Sequence, residues 1–320
     1  MNLKTTDLNL KARFVTITAQ QEGQRVDNFL VTLLKNIPKS RIYRALRKGE
    51  VRVNKKRIKP EYRLMLDDMV RIPPLKQSEE PREKIIPERF AELLRTIVLY
   101  EDTDILILNK PAKLAVHSGS GVDYGIIDIV RAFHPQGETI QLVHRLDRDT
   151  SGCLIFSKTR PALLALQQLL IENDISKTYL ALTKGNWQHH VTIVDRPLRK
   201  NIHESGERMV RVDEEGKNAM TTFSVVRAFP RASLVEVDLQ SGRTHQIRVH
   251  AQHAGHPLAG DEKYGDVEFN KKMREMGLKR LFLHAYALKF KLSVSQKMIR
   301  VMAPLPEELQ AIINTLEVYT

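Results

Sequence analysis

The chain has 320 residues, of which 42% are hydrophobic and 28% charged; this excludes a disordered, collagen-like or membrane-dominated protein and suits one to three globular domains. Its 51 Lys and Arg stand against 38 Asp and Glu, a formal charge of +13, so the expected partner is a polyanion, nucleic acid first and an anionic membrane second. A single cysteine, Cys153, excludes an intrachain disulfide and a cysteine-based zinc site and fits a reducing cytoplasm.

The opening Met-Asn-Leu-Lys-Thr-Thr-Asp has no apolar run behind its charges, and no segment approaches the ~18 apolar residues of a membrane span. A cytoplasmic protein without a membrane partner is expected. Residues 1–24 read as an N-terminal extension. After them, Val26, Phe29, Leu30, Leu33 and Leu34 fall at i, i+3, i+4, i+7 and i+8 and predict an amphipathic helix stopped by Pro38. Ser40 is expected to cap a second helix with Ile42, Ala45 and Leu46 on its apolar face and Gly49 at its end. Val51, Arg52 and Val53 then alternate, Asn54-Lys55 turns the chain, and Arg57-Ile58 begins a return strand.

Residues 38–63 hold eleven Lys and Arg against Glu50 and Glu61, a local charge of +9. A solvated helix face normally mixes its signs. Nearly unmixed cations on two adjacent elements suit a surface that tracks phosphates, with Lys39, Arg41, Arg44, Lys48, Lys55 and Lys56 as candidate contacts. The succession of helix, Pro38-Lys-Ser-Arg41, helix and Gly49-Glu-Val-Arg-Val-Asn54 resembles the small RNA-binding module of ribosomal protein S-four over residues 25–75. That resemblance implies RNA binding and no catalysis.

Residues 76–94 mix charge with prolines and read as a linker. From 95 to 320 the pattern becomes β-rich. A hairpin is expected from residues 97–100 and 105–108, and strands at 142–143, 154–156, 177–183, 221–228, 232–239, 281–290 and 297–302. Helices are expected at 159–173, 244–254 and 305–316, and residues 185–220 read as a polar hairpin excursion. Long βαβ alternation is absent. The fold class is therefore α+β, a mixed, mainly antiparallel sheet domain preceded by the small α+β module.

The densest polar cluster between apolar runs is Leu142-Val-His-Arg-Leu-Asp-Arg-Asp-Thr-Ser-Gly152. Asp147 lies there between Arg145 and Arg148, which are expected to keep it ionised; the bland reading is a structural loop with solvated arginines. A second cluster, Ser241-Gly-Arg-Thr-His-Gln-Ile-Arg-Val-His250, leads into a helix with Thr244 as its expected cap, Arg243 placed for phosphate and Arg248 free to point inward. His245, His250, His253 and His256 raise a metal reading, but Gly255-His-Pro257 ends the helix and no His-Glu-x-x-His occurs, so no metal is expected. Cys153, followed by Leu154-Ile-Phe156, reads as a small buried residue.

His144-Arg-Leu-Asp147, Lys177-Thr-Tyr-Leu-Ala-Leu182, Gly242-Arg-Thr-His-Gln-Ile-Arg-Val-His250, and Asn109-Lys-Pro111 followed by Val116-His117 together resemble the RluA-type pseudouridine synthases, in order, over residues 95–305. One departure is Ser118, where the family often has proline. The resemblance implies isomerisation of uridine to pseudouridine in large-subunit (23S) ribosomal RNA or its precursor particle, with no cofactor needed; no exposed apolar helix stands out in the sequence, so a monomer is expected. The resemblance further implies that Asp147 is the essential carboxylate, attacking C1′ or assisting elimination. Tyr179 would stack on the uracil, and Arg248 would pair with Asp147. Arg145 would fill the gap left by a flipped base, with His144 and Arg243 among the RNA contacts. The rival readings are a non-catalytic RNA-binding factor on the same fold and an RNA-cleaving hydrolase.

Overall fold

In the computed structural model, residues 12–19, 21–34, 37–75, 86–119, 122–202 and 208–318 are described, and the chain divides into two compact units, residues 1–85 and 86–320. The first unit contains β1 (Arg13–Thr16), α1 (Val26–Leu33), α2 (Lys39–Lys48), β2 (Arg52–Val53), β3 (Lys56–Arg57) and β4 (Met69–Ile72). Its strands form an antiparallel sheet in the order β1-β4-β2-β3. Val26, Leu30, Ile42, Leu46 and Val70 share one core, as the helical spacing predicts. Asn54 and Lys55 both take positive φ, 50° and 67°, the turn that matches strand twist in a two-residue hairpin. Gly49 ends α2 in the left-handed conformation.

Two local expectations are corrected. Pro38, not Ser40, stands at the cap of α2, because its fixed φ (−56°) and missing N–H suit a helix start. The span read as an N-terminal extension supplies β1, whose four residues pair with β4; residues 1–11 and 20 of that span lie outside the described residues.

The run Ile105-Leu-Ile-Leu108 shows no polar alternation because both its faces are covered. It belongs to β6 (Ile105–Lys110), which pairs with β5 (Val98–Glu101) and β8 (Ser151–Ser157). Leu106, Leu108, Leu154 and Phe156 enter one apolar cluster, while Ile105, Ile107, Cys153 and Ile155 enter another. The first cluster also takes Leu94 of α3 (Arg89–Thr96) and Ile126 to Val130 of α4 (Ile126–Phe133); the second takes Leu163 and Leu166 of α5 (Arg160–Glu172). Part of the expected linker is thus helix: α3 is short, so its apolar period covers only Ala91 and Leu94. Residues 76–85 lie outside the described residues.

The remaining elements are β7 (Gln141–Leu142), β9 (Ser176–Lys184), β10 (Val191–Asp195), β11 (Leu198–Ile202), β12 (Arg208–Val212), β13 (Met220–Phe229), β14 (Ala232–Leu239), α6 (Gln246–His253), α7 (Val267–Glu275), β15 (Leu283–Leu292), β16 (Lys297–Met302) and α8 (Glu307–Val318). The sheet runs β10-β13-β14-β9-β15-β8-β6-β5, with β16 added on β15 and β7 on β8. Its pairs are antiparallel except β15 with β8, where His284 and Ala285 align with Ser151 and Gly152. Gly152 (φ 109°) is required there, since a Cβ would collide with the Ala285 carbonyl. This close approach fixes where the loop carrying Asp147 rejoins the sheet.

The expected excursion at 185–220 is split. β10 is the edge of the main sheet, and only β11 and β12 form a separate hairpin, seated through Leu198 and Val210 on Val249 and Tyr264. No helix among the described residues is long and apolar enough to cross a membrane.

Candidate active site

Asp147 sits in the loop between β7 and β8, where its carbonyl accepts the Thr150 N–H at 3.2 Å. Its carboxylate borders a cavity of about 70 Å³ walled by Thr150, Tyr179, His245, Gln246, Arg248 and Leu283. The arginines flanking Asp147 in sequence do not hold it. Arg145 is exposed, and Arg148 turns to Asp149 at 3.3 Å. The basic groups within 4 Å of the Asp147 carboxylate come from the start of α6 instead: Arg248 Nη1 lies 3.4 Å, and His245 Nε2 3.7 Å, from its Oδ2, while Arg145 lines the same cavity without pairing to it.

Arg248 is held from behind by Asp261, a residue the sequence reading did not single out, which accepts from Nε at 2.7 Å and from Nη2 at 2.8 Å. Asp261 is 1% exposed and also accepts the N–H groups of Lys263 and Tyr264. The guanidinium lies 5.0 Å from the Tyr264 ring centroid. Burial alone would ease the proton off Arg248, but its bonds to Asp261 and the charges of Asp261 and Asp147 outweigh that and hold the guanidinium charged.

Tyr179, on β9, is 8% exposed and joins the cavity wall. Burial, reinforced by the Asp147 charge, pushes its phenol up, so it stays protonated. His144 is turned to the sheet: its Nε2 accepts the Ile155 N–H of β8 at 3.1 Å, and burial with nearby Lys177 pushes the imidazole down to about 4. It is a neutral strut for the loop. Arg243 is exposed at the cavity rim, where its Nε donates to the Asn218 carbonyl at 3.2 Å. The cap of α6 is His245, not Thr244; Gln246 Oε1 accepts from Ser241 Oγ and the Arg243 N–H, closing the turn ahead of the helix.

Lys110, in the Asn-Lys-Pro block, has a place the sequence did not disclose. Its Nζ, wholly buried, donates to the carbonyls of Pro111 and Leu114 at 2.8 Å and Arg148 at 3.1 Å, joining the end of β6 to the residue after Asp147. Burial pushes the amine down to about 7. Of the other histidines in that cluster, His250 is engaged with Thr221 Oγ1 (2.8 Å) and the Arg196 carbonyl (3.0 Å), His256 is stacked on Trp187 at 4.2 Å, and His253 is exposed. Among the described residues no cluster of three His, Cys, Asp or Glu forms a metal site. Burial pushes the Cys153 thiol up to about 12, leaving it inert at neutral pH.

In the first unit, Lys39, Arg44, Lys48, Lys55 and Lys56 are exposed, whereas Arg41 is paired with Glu50 at 2.9 Å. Asp261, Tyr264 and the orientation of His245 were missed because their partners are set by packing rather than spacing. The polar loop Asp261-Glu-Lys-Tyr264 after a glycine was the available signal.

The family described as RNA pseudouridylate synthase matches residues 104–253, and the one described as S4 domain matches residues 24–70. Ribosomal large subunit pseudouridine synthase C of Escherichia coli (strain K12) is 52% identical over 307 residues, covering 95% of this chain and 96% of that protein. The protein of the same name from Pasteurella multocida (strain Pm70) is 47% identical over 319 residues, covering 99% and 98%. Among solved structures, human RNA pseudouridylate synthase domain containing 4 has a TM-score of 0.60 at 23% identity, covering 72% of this chain and 96% of its own. The human domain containing 1 protein has a TM-score of 0.57 at 26% identity, covering 68% and 86%.

Proposed function

The chain belongs to the RNA pseudouridylate synthases, and on that premise we propose that it isomerises chosen uridines of large-subunit (23S) ribosomal RNA with Asp147 as its essential carboxylate. The enzyme is an isomerase. The N1–C1′ bond of uridine breaks, the uracil turns while held, a C5–C1′ bond forms, and the C5 proton leaves as N1 gains one. Nothing is oxidised or hydrolysed, so a single carboxylate suffices where hydrolytic glycosidases employ two and admit water.

The observation that carries this reading is Asp147 at a small cavity with the fixed Arg248 cation 3.4 Å from its Oδ2. The Asp147 carboxylate either attacks C1′, giving a glycosyl ester, or takes the C2′ proton as uracil leaves. Tyr179, protonated and apolar in its body, stacks on the uracil while it turns. A paired base must leave its stack to reach the cavity, at a cost of a few kcal/mol, and exposed Arg145 fills the space it vacates. Arg243 and the cations Lys39, Arg41, Arg44, Lys48, Lys55 and Lys56 engage the phosphates. His144, directed at β8, supports the loop rather than the RNA. Residues 25–75 act as the RNA-binding module and 95–320 as the catalytic domain of a cytoplasmic monomer.

The test is incubation with unmodified large-subunit ribosomal RNA, followed by carbodiimide labelling and primer extension. New stops at discrete uridines are expected from the wild type and none from Asp147→Asn. Stops from both proteins would remove Asp147 from the chemistry.

A further inference from the structure

Among the described residues, His245 is one of few with a Cβ that take up the left-handed region, at φ 55° and ψ 20°. A non-glycine residue there is held by its surroundings, and such residues gather at functional sites. The turn's own closure does not call for this residue type: it is made by Gln246, Ser241 and the Arg243 N–H. What the conformation does achieve is to set the imidazole between two partners. Nδ1 lies 2.8 Å from the Tyr264 hydroxyl, and Nε2 lies 3.7 Å from Asp147 Oδ2.

The Tyr264 hydroxyl accepts the Val210 N–H of β12 at 3.0 Å, and among the described residues its single proton meets no acceptor other than His245 Nδ1. Burial pushes that phenol up, so the proton stays on Tyr264 and is donated to Nδ1. The ring's remaining hydrogen must then sit on Nε2, the nitrogen that faces Asp147. Burial also keeps the imidazole below its ordinary value despite the attraction of Asp147, with Arg248 and Lys263 acting in the same sense as burial. His245 is therefore a neutral donor, not a second cation beside Arg248.

We propose that His245 is a positioning residue, presenting Nε2–H to Asp147 Oδ2 in a tautomer set by Tyr264, and that Tyr264 thereby couples the seating of the β11–β12 hairpin to the carboxylate. Arg248 places a positive charge 3.4 Å from Asp147 Oδ2, and His245 supplies a direction, limiting rotation of the carboxylate about its last bond. At 3.7 Å the contact is open in the free enzyme, and it closes when uridine fills the cavity, as catalytic hydrogen bonds commonly do. Tyr264 is well placed for the coupling: its ring packs with Leu198 and Val210 of the hairpin on one side and lies 5.0 Å from Arg248 on the other. The inference rests on the reading of Asp147 as the essential carboxylate.

The experiment measures single-turnover isomerisation and RNA dissociation constants for the full chain on a large-subunit ribosomal RNA fragment. His245→Asn keeps the left-handed backbone but withdraws the donor, and a loss of about 10- to 50-fold in rate at unchanged RNA affinity is expected. His245→Gln, whose amide reaches the Nε2 position, should recover most of it. Tyr264→Phe should slow the reaction about fivefold, and Tyr264→Phe with His245→Asn should be no slower than His245→Asn alone, because the phenol acts through the imidazole. Wild-type rate in His245→Asn, failure of Gln to rescue, or multiplied losses in the double variant would each overturn the proposal. Should His245→Asn lower the melting temperature sharply, the Gln rescue and Tyr264→Phe still decide. Activity in Asp147→Asn would instead defeat the underlying reading.

Discussion

Arg248 gives two of its nitrogens to Asp261, at 2.7 and 2.8 Å, and this fork leaves only Nη1 to face Asp147, at 3.4 Å. The direction of the Arg248–Asp147 pair is thus set by a buried aspartate that does not border the cavity. Burial would raise the Asp261 carboxyl, but Arg248 and the Tyr264 and Lys263 amides more than reverse it and hold the group below its ordinary range. A planar fork can meet two carboxylates at once; a lysine ammonium has no such geometry.

Asp261→Asn should therefore cost more than an ordinary core change. It takes the near negative charge and one of two acceptors from a buried guanidinium, a loss of about 3 kcal/mol in denaturant unfolding, and lets Arg248 turn toward Asp147. Single-turnover rates should fall at least tenfold. Arg248→Lys should show a similar rate loss, and full activity in either variant would mean that the fork does not set the pair.

Lys110 ties three carbonyls together, one of them on Arg148 beside Asp147. Lys110→Met fills the space but strands those acceptors, at about 1–3 kcal/mol for an unmet buried group. The expected result is a stability loss of about 3 kcal/mol together with a slower chemical step, read by urea unfolding and single turnover. A stability loss with an unchanged rate would show that the loop keeps its geometry without the clamp.

His284 is buried beside the same loop: its Nδ1 accepts the Ser151 hydroxyl at 2.8 Å, its Nε2–H donates to the Ala303 carbonyl at 3.1 Å, and Arg280 donates to Ser151 Oγ at 3.1 Å. Burial pushes its pKa down to about 4 from 6.5, and His144 moves likewise to about 4. Between those values the unfolded chain takes up protons that the folded one refuses, so stability is present above pH 6.5 and is lost as pH falls toward 4. The loss between pH 6.5 and 5 should be on the order of 1–2 kcal/mol per histidine. Unfolding measured across that window should show a shallower slope for His284→Gln than for the wild type; an equal slope would place the uptake elsewhere.

In the first unit, Lys39, Arg44 and Lys48 are exposed. Replacing all three with alanine should reduce the slope of log affinity against log salt by about 2, at 0.7 to 0.9 per neutralised phosphate, while leaving the rate on saturating RNA nearly unchanged. Binding titrations over a salt series check this, and an unaltered slope would show that these cations do not contact the backbone.

The sequence by itself determined the elements and the blocks. Val26 to Leu34 carried a helical period, Asn54-Lys55 a turn, and Ile105 to Leu108 an uninterrupted apolar run, and each signal is local, so each was legible. Asp147, Tyr179 and Arg248 were legible because they stand in blocks that resemble a family. What only the tertiary structure decided is which charges face which. Arg145 and Arg148 adjoin Asp147 in the chain, yet neither pairs with it: Arg145 is exposed at the cavity and Arg148 turns to Asp149, while Arg248 and His245 arrive through the packing of α6. The same holds for Asp261, Tyr264 and the three carbonyls around Lys110: a hydrogen-bond partner brought in from another loop leaves no periodicity, because its spacing is set by how the layers pack and not by the path of the backbone between them.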